Sequence, residues 1–171
     1  FHANAWVPTQ GDSPIGAGAH EEYGDPYDNM GNFSPYGHYN VYFKNYLSWI
    51  PNTSVKSVSR TGTYRVKAHD HRESKTGVRA LKIGKNSGRD YWVGVRHWVV
   101  GDEIMLRWGL KSGSSMSGDG SQLLDMTPET RRAFEESQPR DHSLRMGNTF
   151  HDDSRRVSVT PVARGGDGRE L

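Results

Sequence analysis

Tyr39, Tyr42, Phe43, Tyr46, Leu47 and Ile50 recur at i, i+3, i+4, i+7, i+8 and i+11, one face of a helix. The spacing predicts a helix over 40–49. Asn40 suits the N-cap, since its side-chain oxygen can accept from the free amides of the first turn. Pro51 should end the helix, because its ring disfavours αR at the residue before it. Elsewhere the period is two. Residues 55–58, 63–68, 78–83, 91–96, 104–108 and 156–162 alternate apolar and polar side chains, which sorts them onto the two faces of a sheet. Gly62, Gly77, Gly101-Asp102 and Gly118-Asp119-Gly120 punctuate them as turns. Pro8, Gly11, Pro14, Gly16 and Gly18 argue against a regular element from about 7 to 20. Ser112 to Ser121 reads as a Gly/Ser-rich loop, and Pro128 to Glu136 as a short helical turn capped by Thr127. No internal repeat is visible. Several short strands separated by turns predict a mainly β protein, an antiparallel β-sandwich preceded by loop and one helix.

Charge adds a division. Residues 1–50 carry one cation (Lys44) and five acids (Asp12, Glu21, Glu22, Asp25, Asp28), and hold 11 of the 18 aromatic residues. Residues 51–171 carry 21 cations and 15 acids. The shift at a Pro-Asn turn predicts a boundary, with units 1–50 and 51–171. The whole chain is nearly neutral at +2, which argues against a dedicated nucleic-acid binder. No apolar run approaches the roughly 18 residues of a membrane span. With no cysteine, disulfides, Cys-zinc sites and thiol nucleophiles are excluded. The opening Phe1-His2-Ala3-Asn4-Ala5-Trp6 and the glycine-rich end read as those of a fragment.

Three tracts carry a resemblance: "HANAW" at 2–6, "EYGDPYDNMG" at 22–31 and "GHYNVYFKNYLSWIP" at 37–51. In that order they resemble gametolysin-like metzincin zinc metallopeptidases. The metzincin motif is H-E-x-x-H-x-x-G-x-x-H followed by a Met-turn. In this register Phe1 and His2 are its last two positions. The resemblance implies that His2 is the third zinc ligand and that Met30 and Gly31 form the Met-turn. Two histidines at i and i+4, the general-base Glu and the Gly would lie upstream of Phe1. Zinc held by three protein ligands keeps a fourth position for water, and the ion activates that water for attack on a peptide carbonyl. Residues 1–50 would then be the C-terminal part of the catalytic domain. The tracts "GTYRVKAHD", "GVRALKI", "RDYWVGVRHW" and "GSQLLDMTP" look like the β-rich domain that follows it. Some metzincin branches place a metal-contacting Tyr two residues after the Met; here that position is Asn32, and no such role is carried over. The implied protein is a secreted zinc metalloendopeptidase acting on proteins or peptides. This chain alone should be inactive and should expose the helix face around Phe43 and Leu47. The alternative is a non-catalytic β-sandwich binding module, for carbohydrate or cell surface, in an extracellular protein.

Other groups invite chemistry but have plainer readings. His69-Asp70-His71 could share a metal on a strand, yet it runs into Arg72-Glu73-Ser74 and reads as a solvated turn. His20 and His38 read as structural. Asp12, Asp25 and Asp28 with Glu21 and Glu22 could bind calcium through oxygen ligands, although EF-hand spacing is absent. Gly118-Asp119-Gly120 and Asp152-Asp153 have the composition of ordinary turns. Trp92, Trp98 and Trp108 read as core rather than as sugar-stacking platforms.

Overall fold

The computed structural model describes residues 1–32, 37–71, 76–85, 88–97, 103–111, 120–128 and 142–165. In chain order its elements are β1 (Ala3–Pro8), β2 (Gly18–Glu21), α1 (Val41–Tyr46), a 3-10 turn (Asn52–Ser54), β3 (Val55–Val58), β4 (Ala80–Gly84), β5 (Arg89–Gly94), β6 (Glu103–Leu110), β7 (Ser121–Leu124), β8 (Leu144–Arg145), β9 (Phe150–Asp152) and β10 (Val157–Val159). The protein is mainly β, with one short α-helix among the described residues.

The main sheet runs β2-β1-β7-β6-β5-β4-β3, with β8 joining the start of β6, while β9 and β10 form a separate ribbon. It is mixed, which corrects the expectation of a purely antiparallel arrangement. β1 pairs β7 in parallel, Ala3 opposite Ser121 and Trp6 opposite Leu124. β3 pairs β4 in parallel, Val55 opposite Ala80. A parallel pair needs a crossover connection, so strands distant in sequence are joined. Turn signals between neighbouring strands cannot announce that. Residues on both sides of Pro51 therefore contribute strands to one sheet.

Alternation assigns each strand two faces, and both are covered. On the first face Leu81, Tyr91, Val93, Val95, Ile104, Leu106, Trp108 and Leu124 form the larger core with Val66, Ala68, Leu144 and Phe150. The β9–β10 ribbon lies against it, with the Tyr91 and Phe150 rings edge to face at 5.3 Å. On the second face, Val41, Tyr42 and Phe43 of α1 pack on Ala3, Ala80 and Trp92. Beside them Tyr27 packs with Ala5, Met105 and Leu123.

The helix has the expected cap: Asn40 Oδ1 accepts from Phe43 N–H at 3.1 Å. It ends earlier than Pro51 requires. Ser48 adopts a left-handed φ of 61°, Ser48 N–H bonds to Asn45 O and Trp49 N–H to Lys44 O. That pattern closes helices, usually with Gly at the left-handed position. Phe43 is fully buried and Leu47 half-buried, so the expected exposure is corrected at Phe43 itself. Phe1 and Tyr42 rings lie 5.5 Å away, and the exposed aromatics here are Phe1, Tyr46 and Trp49.

Residues 3–8 and 18–21 are strands despite their Pro and Gly. Pro8 closes β1 beyond the stretch paired with β7, where its missing N–H costs no bond on that side. Residues 63–68 form only a single bridge at Lys67, whose N–H bonds to Val78 O. Their alternation still sends Tyr64, Val66 and Ala68 to the core. Most of the expected helical turn at 128–136, and Trp98, lie outside the described residues. Among the described residues no helix is long and apolar enough to cross a membrane.

Candidate functional site

His2 stands immediately before β1, with its side chain about one-third exposed. Ala3, next to it, is clamped from both sides by the acidic loop. Ala3 N–H donates to Met30 O at 2.8 Å, and Asp25 N–H donates to Ala3 O at 3.1 Å. The loop therefore folds back so that the Met30 turn lies beside the strand that starts at His2. Asp28 fixes that turn. Its Oδ1 accepts from Met30 N–H at 2.8 Å and its Oδ2 from Asn40 N–H at 2.6 Å. One buried carboxylate thus ties the turn to the helix N-cap. Burial and the neighbouring Asp25 carboxylate push the Asp28 pKa up to about 6, against the pull of those two amides. The Tyr39 hydroxyl reaches the Met30 sulfur at 3.5 Å.

Two residues meet His2 that the sequence did not single out for it. The Tyr23 hydroxyl lies 2.6 Å from His2 Nε2, and the two rings meet at 4.2 Å between centroids, tilted by 37°. Glu22 Oε1 lies 2.7 Å from Nδ1, off the line of a directed N–H bond, so this contact is chiefly electrostatic. Tyr23 has a left-handed φ of 59°, a conformation that costs a non-glycine residue roughly 1–2 kcal/mol. It is held there by Asn4 Oδ1, which accepts from Tyr23 N–H, and by Asn32 N–H, which donates to Tyr23 O at 2.6 Å. Both contacts to His2 come from residues 20 or more positions away, so spacing gave no signal of them.

Below the loop, Asp25 and Arg107 form a fully buried ion pair at 2.9 Å. Asp25 also accepts from Tyr27 N–H. Asp25 and Asp28, two of the calcium candidates, thus face protein donors inside the fold; Asp12 is exposed. Among the described residues no three His, Asp or Glu side chains converge as a metal-binding group.

A second polar cluster lies under the helix. His69 is buried rather than solvated, which corrects the reading of His69-Asp70-His71 as an open turn. Both His69 ring nitrogens lack hydrogen-bond partners, and the His38 ring is 6.3 Å away. Lys44 Nζ donates to His69 O at 2.8 Å and lies 3.4 Å from His38 Nε2. Asp70 accepts from His97 N–H and pairs with Arg96, whose Nη1 donates to Tyr27 O. Burial, then Lys44 and Arg96, hold the His69 pKa well below its ordinary value. The same causes lower His38 to about 4, with Asp70 opposing.

These shifts make stability depend on pH. A histidine whose folded pKa lies below its unfolded value binds fewer protons when folded, so its contribution is intact above about 6.5 and is lost as pH falls. Asp28 acts oppositely: its raised pKa favours the folded state as pH falls through about 6. Burial also raises the Glu21 carboxyl, which acts with Asp28, but Glu21 is the more exposed, and the two buried imidazoles set the direction. We expect the protein to melt lower at pH 5 than at pH 7.5. His69→Leu should stabilise it at pH 5 more than at pH 7.5. Equal effects at both pH values in thermal melts would refute this.

The remaining candidates have structural surroundings. His20 Nδ1 meets the Gln122 side chain at 3.1 Å. Trp92 and Trp108 are buried core residues, as expected. Asp152 is buried and accepts from the Tyr91 and Ser154 hydroxyls, both at 2.6 Å. No family model, curated protein or solved structure matches the chain.

Proposed function

We propose that this chain carries the C-terminal side of a zinc metalloendopeptidase site, with His2 as the imidazole ligand it contributes. The observation that supports this most is the Ala3 N–H to Met30 O bond at 2.8 Å. It sets Met30 beside Ala3, the residue after His2, from 27 positions away, and so supports the pairing of last motif histidine and Met-turn that the metzincin resemblance implies. Nothing in local sequence demands that contact.

The donor chemistry at His2 fits zinc. Its Nε2 faces a hydroxyl rather than the interior, at an accessible strand end, and imidazole nitrogen is a preferred zinc ligand. His2 would hold the ion together with donors from the segment ahead of Phe1. Zinc supplies Lewis acidity toward a peptide carbonyl and a bound water of lowered pKa. The chain's own residues orient and support. Asp28 fixes the Met30 turn, Gly31 lets two backbones close on each other there, and Ala3 is tied on both sides so that His2 has a set direction. One imidazole alone binds zinc only weakly and supplies no general base, so the 171-residue chain should hydrolyse no peptide.

The test is the coding sequence upstream of Phe1. The nine codons before it are expected to read H-E-x-x-H-x-x-G-x. In the longer protein His2→Ala should then lose zinc by elemental analysis and cut peptide hydrolysis at least about 100-fold. A closed frame, or a stretch without that histidine pair, would sink the proposal and leave the β-rich binding module as the reading to pursue.

A further inference from the structure

Tyr23 is placed at some cost and with little burial to offset it. It is 43% exposed, so burial does not hold it. Its backbone is left-handed, and both its N–H and its carbonyl are tied down. What this placement achieves is a short contact from its hydroxyl to His2 Nε2. Strained residues that persist in a fold cluster at sites of function. On the other side of the ring, Glu22 puts a carboxylate at Nδ1.

These two contacts agree on one tautomer. A carboxylate at Nδ1 favours a proton there, and Nε2 then has a free lone pair that accepts from the tyrosine O–H. Glu22 acts here by its charge rather than through a directed N–H bond, favouring the imidazole proton on the nitrogen nearest the carboxylate. We propose that Glu22 and Tyr23 are positioning residues of His2, Glu22 holding the imidazole proton on Nδ1 and the Tyr23 hydroxyl occupying Nε2 until a divalent transition-metal ion displaces it. This rests on the zinc-peptidase reading for its purpose. The tautomer and the competition belong to this chain alone. Tyr23 differs from a ligand in the sign of its effect: a ligand's removal weakens metal binding, whereas a competing hydroxyl's removal strengthens it.

The experiment uses the 171-residue chain with nitrogen-15 in its histidine rings, titrated with zinc chloride at fixed pH. His2→Ala identifies the His2 signals among the eight histidines. In the unsubstituted chain, His2 should show Nδ1 protonated and Nε2 bare. Tyr23→Phe keeps the ring contact and removes the hydroxyl, and should lower the half-saturating zinc concentration at His2 about three- to tenfold. Glu22→Ala should raise it about tenfold and shift the tautomer toward Nε2–H. A protonated Nε2 in the unsubstituted chain, or a Tyr23→Phe chain that binds zinc no better, overturns the inference. The two ideas fail separately: the codons ahead of Phe1 decide the peptidase reading, and the His2 titration decides the roles of Glu22 and Tyr23.

Discussion

Asp25→Ala should destabilise the protein by about 3–5 kcal/mol, the largest single-residue loss of stability expected. The Arg107 side chain is 1% exposed and its partner carboxylate is fully buried. Removing Asp25 leaves a guanidinium without its counter-ion, and Arg107 Nε already lacks a hydrogen-bond partner. The same change frees Tyr27 N–H from its acceptor within a buried loop. Arg107→Met should cost a similar amount from the other side, by stranding the Asp25 carboxylate. It also removes the positive charge that helps hold the Asp28 pKa down, so that carboxyl should move higher still. The double variant Asp25→Leu with Arg107→Met should recover the part of the loss due to the unpaired charge, while the part due to Tyr27 N–H losing its acceptor remains. Urea unfolding followed by tryptophan fluorescence measures all three. A single variant losing less than about 1 kcal/mol, the value of an ordinary surface pair, would mean that water reaches the pair.

This ion pair also marks where sequence reasoning stops. Arg107 sits in an alternating strand at a polar position, between Leu106 and Trp108, and such positions ordinarily face solvent. Here that second face is covered by the 23–32 loop and α1, whose own acids and Lys44 look like surface charge. Period two tells which side chains share a face; it does not tell whether something lies over the polar face. The same limit hid His69. Its neighbours Val66 and Ala68 were legible as core, but the helix that buries it comes 25 residues earlier. The Ser121–Leu124 strand was missed for the opposite reason. All four residues are buried, so there is no alternation to read, only a short run behind a Gly/Ser-rich segment. What was legible had local causes: the Asn40 cap, the α1 stripe, and the strands β3 to β6. At the site, the Met30 turn could be read from the acidic, turn-rich tract. The meeting of Tyr23 and Glu22 with His2 could not, because it depends on the loop returning to β1.

Gly31→Ala should have the second large effect, and it bears on the site directly. The φ of Gly31 is not left-handed, so the backbone itself would accept alanine. Space is the constraint. A Cβ there would collide with the Asp25 carbonyl and stand 2.9 Å from Ala3 O. Both obstacles are main-chain atoms, and Ala3 O is held by Asp25 N–H, so no side chain can turn away to make room. Gly31 N–H is itself bonded to Asp28 O, and Asn32 N–H to Tyr23 O. The alanine must therefore spread the loop from β1 or break those bonds. The cost should reach or exceed the upper end of the roughly 1–3 kcal/mol typical of overpacking. Gly109→Ala offers a comparison two strands across the sheet from Ala3. Its Cβ would meet Tyr42 Cδ2 at 2.5 Å and Trp92 Nε1 at 2.7 Å, side chains that can tilt at the expense of helix packing. Both variants should melt lower. Only Gly31→Ala should also release the loop, seen as faster proteolysis within 23–32 and loss of the His2–Tyr23 contact in ring spectra. A Gly31→Ala protein that melts within about 2 °C of the unsubstituted chain, with His2 undisturbed, would show that the loop has slack there. The hold of the Met30 turn on His2 would then have to come from Asp28 and the Ala3 hydrogen bonds without Gly31.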